Sequence, residues 1–234
     1  MNANVNEFTK ELEIYCKQKG IDKVGFADLT HAKVFLASHG DAVVMGYPRA
    51  VSIGMRINDA IVDNHDPDEP RGKSLYWHHI YDVVSVSLNF VAYDVSRWLA
   101  NKGWNSLPVP ASMPYNLKTL QGVISHKLTA HLAGIGWIGK SCLLLTPEFG
   151  PRVSFTTVLT DAPLSVGIKK DKKCGKCTSC IDACPIGALK DVEFSVEDDV
   201  EARFDTARCS EYRGKHPCGL CVSSCPVGKN VKRR

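Results

Sequence analysis

Eight closely spaced cysteines in the C-terminal part of the chain restrict its fold more than any other feature. The first four form a C-x2-C-x2-C-x3-C-P run that ends at Pro185, and the second four are again followed by a proline, Pro226. Such short spacings are typical of iron–sulfur proteins, in which each [4Fe-4S] cluster takes four cysteine thiolates. The two sets are Cys174, Cys177, Cys180 and Cys184, then Cys209, Cys218, Cys221 and Cys225.

The spacing also predicts how the cysteines are shared. One short loop can supply three ligands to a cluster, whereas the fourth has to come from elsewhere in the chain, as in bacterial two-cluster ferredoxins. Structural zinc is the alternative, although it needs neither the third cysteine of each set nor the prolines. We therefore predict one cluster on Cys174, Cys177, Cys180 and Cys225 and a second on Cys184, Cys209, Cys218 and Cys221.

Composition limits the class of protein. The chain has 234 residues, a formal net charge of +4 and 44% hydrophobic residues, which is ordinary for a globular protein. Its first residues resemble no signal peptide, and no apolar run approaches the length of a membrane span. We expect a cytoplasmic protein with no membrane partner and no nucleic-acid partner. In that compartment thiols stay reduced, and Cys16 and Cys142 are predicted to be buried free thiols.

Hydrophobic periodicity predicts an α/β (α+β) body at residues 1–168, followed by a cysteine-rich module at residues 169–234. The stretch from residue 58 to residue 74 is rich in acidic residues, proline and glycine, and is predicted to be a loop. The predicted helices are Asn4–Lys19, Tyr76–Lys102 and Leu117–Ala133, and the predicted strands lie within residues 21–29, 50–57, 142–146 and 152–160.

The segment GIGWIGKS, residues 134–141, matches both the G-x-G-x-x-G and the G-x-x-x-x-G-K-[ST] nucleotide-binding patterns. Both patterns require a strand before the glycines and a helix after them, so that helix amides face the phosphates. Here a helix is predicted before and a strand after, which disfavours a nucleotide-dependent protein. Gly134 is placed to end the helix, but the other glycines and Trp137 indicate backbone brought close to a flat or bulky group.

Residues 133–164, together with the two cysteine sets, resemble the cobalamin-binding core shared by epoxyqueuosine reductases and reductive dehalogenases. KGIDKVGFADL, YPRAVSIGMRI and the Tyr76–Trp104 helix with PVPAS after it extend the resemblance over nearly the whole chain. It implies a nitroreductase-like cobalamin-binding body and a C-terminal bacterial ferredoxin-like two-cluster module. It also implies that base-off cobalamin is lined by Gly134, Gly136, Trp137, Gly139 and Lys140.

The proton donor is where the chain departs from this family pattern. Epoxyqueuosine reductases typically carry an aspartate just before the glycine loop, whereas this chain has no acidic residue between Asp94 and Glu148. Reductive dehalogenases use a tyrosine. Among the polar side chains of the predicted body, Tyr81 and His126 are the candidate catalytic residues. The alternative is that these side chains only pack in the core and form internal hydrogen bonds.

The predicted function is that of a reductase. A low-potential donor of the ferredoxin or flavodoxin type would pass electrons through two [4Fe-4S] clusters to cobalamin and on to a small or nucleoside substrate. The alternative is an electron-transfer or reductive-activation protein that serves a partner corrinoid protein and has no small-molecule substrate of its own.

Overall fold

The computed structural model describes residues 2–30, 42–112 and 122–229. These form two compact units that are interleaved in sequence. The first comprises Met1–Met55, Val84–Ile135 and Ser154–Lys170, and the second comprises Arg56–Val83, Gly136–Val153 and Asp171–Arg234. The predicted boundary after residue 168 divides the chain at a single point instead, and that domain assignment stays a prediction.

The described residues form eight α-helices and six strands, joined by short 3-10 turns and one π-helix at His79–Val84. The helices are α1 (Asn2–Gln18), α2 (Asp59–Asp63), α3 (Leu75–His78), α4 (Ser85–Asn101), α5 (His126–Leu132), α6 (Ser179–Asp182), α7 (Thr206–Lys215) and α8 (Leu220–Ser223). The strands are β1 (Lys23–Asp28), β2 (Arg49–Arg56), β3 (Ser106–Val109), β4 (Trp137–Ile138), β5 (Leu144–Leu145) and β6 (Val153–Thr160).

A four-stranded sheet in the order β1-β2-β6-β3 forms the centre of the first unit. β1 pairs antiparallel with β2, and β3 pairs antiparallel with β6. The sequence of β6 alternates, as a half-exposed strand does, yet seven of its eight residues are buried. Burial of successive residues means that both faces of the sheet are covered at this strand.

Helices α1 and α4 bury their apolar stripes in one core with the sheet. Leu88, Val95 and Leu99 recur at helical spacing and are completely buried, as is Leu12 of α1. Burying each such side chain stabilises the fold by about 1.5–3 kcal/mol. The periodicity that predicted these two helices is therefore confirmed.

Three predicted elements differ in detail from the structure. The predicted helix Tyr76–Lys102 is divided into α3, the π-helix and α4, and the predicted loop after β2 contains the short helix α2. Of the predicted helix Leu117–Ala133, residues 117–121 lie outside the described residues, and α5 begins only at His126. Ser125 caps α5 by accepting the Leu128 backbone N–H, which fixes that start.

Arg152 organises part of the second unit. Its side chain is only 1% exposed, and its guanidinium donates to Asp59 over 3.1 Å and to Asp63 over 2.5 Å. Its carbonyl also accepts the backbone N–H of Ile57 over 2.9 Å. Arg152 thereby holds α2 to the chain just before β6. Within the described ranges, no helix combines the length and the apolar content needed to cross a bilayer.

We predict that Arg152→Met lowers the free energy of unfolding by about 1–3 kcal/mol, because it removes hydrogen bonds between charged groups. The hydrogen bond from Arg152 holds the pKa of Asp63 below its ordinary 3.8. The stabilisation is therefore complete above that value and is lost as the pH falls through the lower pKa of the folded state.

Urea unfolding of wild type and Arg152→Met at matched iron content, from neutral to acid pH, measures this difference. Lys17→Met is the control, since it breaks an exposed i,i+4 pair with Glu13 and should change stability by less than about 0.5 kcal/mol. A difference between wild type and Arg152→Met that grows as the pH falls would contradict the prediction.

Candidate functional site

The glycine loop follows a helix and leads into strands, as its sequence context predicts. Gly134, with φ +73°, ends α5: its N–H donates to His131 O over 3.0 Å, and the next N–H donates to Ala130 O over 3.1 Å. Residues 137–138 then pair antiparallel with residues 144–145. The amides of a helix N-terminus, which a nucleotide phosphate needs, are therefore not supplied by a helix after this loop.

The glycines of this loop lie against atoms of the chain itself. A Cβ at Gly134 would stand 2.5 Å from Ile168 O, and one at Gly136 would collide with Leu145 O. A Cβ at Gly139 would stand 2.7 Å from a Leu145 methyl and 3.1 Å from Cys174 Sγ. Close backbone approach is thus the reason for the glycines, as predicted, but the groups approached are strand β5, Ile168 and a cysteine.

Cysteines from both ends of the C-terminal segment meet in the first thiol group, which we define as Cys174, Cys177, Cys180 and Cys225. Cys225 is buried, and it packs with Cys174, Trp137, Leu145 and Val227 in one apolar cluster. Burial raises the pKa of the Cys180 thiol to about 11, and the negative charges of Cys174, Cys225 and Cys177 add to the rise. Mutual electrostatic influence of this kind requires the thiols to be close neighbours.

The second thiol group consists of Cys184, Cys209, Cys218 and Cys221. Burial raises the pKa of the Cys221 thiol to about 12, with further contributions from Cys218, Cys209 and Cys180. Burial also raises the pKa of Cys218, and the charge of Cys184 adds to that rise. These influences make members of each set neighbours in space, and the influence of Cys180 on Cys221 links the two sets as well; the assignment of four thiols to each cluster stays a prediction.

The thiols of each group are not gathered around a single point. Among the described residues, no three or more His, Cys, Asp or Glu side chains are arranged to hold one metal ion. All ten cysteines are free thiols. Cys16 and Cys142 are buried, as predicted, and burial raises the pKa of Cys16 to about 12.

Lys140 and Trp137, both predicted to line cobalamin, contact the segment that carries the first thiol group. The ammonium of Lys140 donates to Gly175 O over 2.5 Å, to Cys177 O over 3.5 Å and to the Asp191 carboxylate. The hydrogen bond to Asp191 raises the pKa of Lys140, so the amine stays protonated at neutral pH. Trp137 is 2% exposed, and its indole N–H has no partner among the described atoms.

Tyr81 lies beside the second thiol group. Its hydroxyl accepts a hydrogen bond from Arg213, and its ring lies 4.2 Å from that of Trp77. The guanidinium of Arg213 interacts electrostatically with Cys209. Tyr76, one turn earlier, is buried, and its ring fills the space where Gly219 has no side chain. Burial raises the pKa of Tyr76, which keeps its phenol neutral.

His126, the other candidate catalytic residue, belongs to the first unit. Its Nε2 lies 3.1 Å from the carbonyl of Pro110, so this nitrogen carries the proton and donates; Nδ1 then accepts from the Thr157 hydroxyl over 2.9 Å. Burial lowers the pKa of His126. A neutral ring with both nitrogens engaged is the internal role that the sequence analysis kept as the alternative, and the catalytic role stays a prediction.

Three charged residues of the site were not found from the sequence. Asp191 pairs with Lys140, Glu193 accepts the backbone N–H of Gly175 over 2.7 Å, and Arg213 reaches Tyr81. A signal existed for Arg213, because it follows Cys209 by four residues on α7 and so shares its face. The two acidic residues carried no such signal, since their partners are distant in sequence.

We predict that Cys225→Ser disturbs the cluster on the Cys174–Cys180 loop, 45 residues or more away, and leaves the other cluster in place. Serine is a poor substitute for a thiolate ligand to iron. Iron and sulfide content with electron paramagnetic resonance of the reduced protein measures the effect. Cys142→Ser is the matched control, since that cysteine belongs to neither group, and unchanged iron and spectra in Cys225→Ser would contradict the pairing.

Comparisons with known proteins also identify an iron–sulfur domain in the C-terminal segment. Residues 173–229 match the family described as 4Fe-4S dicluster domain. An epoxyqueuosine reductase of Bacillus anthracis is 32% identical over 127 residues, which cover 47% of this chain and 31% of that protein. One from Leadbetterella byssophila is 23% identical over 250 residues, covering 95% of this chain and 80% of that protein. The chain thus spans about a third of the first relative.

Solved structures show the same fold. An epoxyqueuosine reductase crystallised with an epoxyqueuosine-modified tRNA stem loop superposes with a TM-score of 0.61 at 22% identity, covering 96% of this chain and 66% of that one. A catabolic reductive dehalogenase superposes with a TM-score of 0.68 at 19% identity, covering 90% of this chain and 30% of that one. This chain is thus similar in sequence to epoxyqueuosine reductases and in fold to them and to a reductive dehalogenase, and its residues 173–229 match a 4Fe-4S dicluster domain.

Proposed function

We propose that this chain is an iron–sulfur reductase whose two [4Fe-4S] clusters relay electrons to a cobalamin-linked reduction. The observation that carries the proposal is the match of residues 173–229 to a 4Fe-4S dicluster domain, together with the apolar cluster in which Cys225 and Cys174 both lie. Bound [4Fe-4S] clusters exchange single electrons at potentials that their surroundings set.

The residues present fit iron–sulfur clusters. Each group offers four thiols, and thiolate is the ligand that such clusters take. In the first group, the unpartnered indole N–H of Trp137 belongs to the same cluster of side chains as Cys174 and Cys225. A buried donor without a partner is costly, and a sulfur-rich group in this cluster would supply an acceptor. Neighbouring cysteine groups suit electron transfer from one cluster to the other.

Cobalamin enters the proposal through the relatives alone. One solved reductive dehalogenase is described by its B12-dependent mechanism, and its structure superposes on this chain with a TM-score of 0.67. The loop predicted to line the corrinoid is itself buried at residues 135–142, and its Trp137 and Lys140 contact the segment of the first thiol group, so the lining role stays a prediction. We assign no corrinoid-binding residue and derive no step through cobalamin.

The acceptor of the electrons has two candidates. A modified nucleoside is the substrate named for the epoxyqueuosine reductases, and one of them was crystallised with a tRNA stem loop. These relatives favour a nucleic-acid substrate, whereas the small net charge of this chain predicted no nucleic-acid partner. A partner corrinoid protein is the second candidate. It is favoured by the buried glycine loop and by the absence of any acidic proton donor between residues 94 and 148.

Tyr81 is the proposed proton donor if the chain has its own substrate. Its hydroxyl already accepts from Arg213, which leaves its own proton free to be donated. A guanidinium at this position also stabilises the phenolate that forms when the proton leaves. His126 lacks such a free proton, because its N–H is directed at the Pro110 carbonyl.

Anaerobic reconstitution tests the proposal. We expect iron and sulfide for two [4Fe-4S] clusters per chain, and a base-off visible spectrum when cobalamin is added to the loaded protein. Reduction by a low-potential flavodoxin or ferredoxin should follow, and the reduced protein is then offered an epoxyqueuosine-modified tRNA stem loop or a corrinoid protein. Oxidation by the first identifies a reductase with its own substrate, and oxidation by the second identifies an activator.

Tyr81→Phe separates the proton-transfer role from a structural one. It keeps the ring contact with Trp77 and removes only the hydroxyl, so we expect unchanged cluster content and at least a tenfold loss of turnover, within the usual range for a lost acid catalyst. Unchanged turnover would overturn the assignment of Tyr81. Iron uptake without any cobalamin binding or electron transfer would overturn the reductase proposal.

A further inference from the structure

We infer that Lys140 sets the reduction potential of the cluster held by the first thiol group, and that the Gly136–Lys140 loop is a wall of this iron–sulfur site. The inference rests on the proposed function in that it needs the cluster to be bound. It does not depend on cobalamin or on any substrate.

Three residues of the loop contact the first thiol group. Gly139 lies so close to Cys174 Sγ that a Cβ would stand 3.1 Å from it. Trp137 packs with Cys174 and Cys225. The ammonium of Lys140 donates to the carbonyls of Gly175, the residue after Cys174, and of Cys177 itself. The loop therefore packs directly against the segment Cys174–Cys177.

The position of Lys140 is unusual for a lysine. Its side chain is 6% exposed, whereas that of its partner Asp191 is 60% exposed. The cation is thus shielded from water and its counter-ion is not. Charges in a poorly solvated position act over longer distances than exposed ones, because neither water nor salt screens them fully.

The sign of the effect follows from the charge change on reduction. A [4Fe-4S] cluster gains one negative charge when it accepts an electron, and a nearby buried cation favours that form. Lys140 therefore raises the potential of the first cluster, and the carboxylate of Asp191 opposes it. Other charges near the loop are Glu193, which accepts the N–H groups of Cys174 and Gly175, and Lys172, whose ammonium lies 4.6 Å from the centre of the Trp137 ring.

Three single variants test this with the loaded, substrate-free protein. Lys140→Met removes the buried charge and keeps an unbranched side chain, Asp191→Asn removes only the opposing charge, and Lys176→Met is the matched control. Lys176 lies between Cys174 and Cys177 in sequence but is exposed, so its charge is screened. The midpoint potentials of both clusters are measured by redox titration followed by electron paramagnetic resonance, and the signal altered by Cys225→Ser identifies the first cluster.

We expect Lys140→Met to lower the midpoint potential of the first cluster and Asp191→Asn to raise it. The shift of Lys140→Met should exceed that of Lys176→Met and that of the second cluster, and the shift of Asp191→Asn should be smaller and opposite, because this carboxylate is 60% exposed but pairs directly with Lys140. Midpoints that match wild type in both variants would overturn the inference. If Lys140→Met fails to load the first cluster, Asp191→Asn and Lys140→Arg decide: a raised midpoint in the former and a retained one in the latter support the inference, and no shift in Asp191→Asn overturns it.

The result also separates this inference from the proposed function. A wild-type chain that takes up no iron would sink both. Full iron loading with unmoved potentials would sink only the role of Lys140.

Discussion

The apolar cluster of Trp137, Leu145 and Cys225, with Cys174 and Val227 packed against it, is the feature on which the proposed iron–sulfur site depends. It brings the last cysteine of the second sequence set near the first cysteine of the first set, as the predicted exchange of fourth ligands requires. Close backbone approach makes this possible: Gly150 lies against Val227 O, and a Cβ at Gly228 would stand 2.5 Å from Gly150 N. Side chains at these two glycines would push the last cysteine away from the first.

A cation accompanies each thiol group. Lys140 reaches the first group from the glycine loop, and Arg213 reaches the second from α7 while also donating to Tyr81. Four thiolates in one place repel one another, and burial disfavours their charge further. A nearby cation offsets part of that cost. Iron binding removes most of the rest, because the positively charged iron ions are ligated by the deprotonated thiols.

The glycine loop answers a question that its sequence leaves open. Its pattern is compatible with a nucleotide site, with a corrinoid site or with a plain helix stop. In the structure the loop packs against the segment that carries the first thiol group, which is the basis for the role inferred for Lys140. The glycines are needed because β5 and Cys174 come within contact distance of their α-carbons. The same closeness leaves Trp137 and Lys140 in contact with protein atoms, and the corrinoid-lining role of this loop stays a prediction.

The sequence by itself determined the local structure and the ligand chemistry. Helical and alternating periodicities located α1, α4, β1, β2 and β6, because burial of one face is written into residue spacing. Cysteine spacing likewise predicted the iron–sulfur chemistry of the C-terminal segment, because closely spaced cysteines followed by proline are typical of [4Fe-4S] ligands. Only the tertiary structure decided the surroundings of those thiols: Lys140, Asp191 and Arg213 act through partners that are distant in the chain, and no local pattern encodes which distant residues a fold brings into contact.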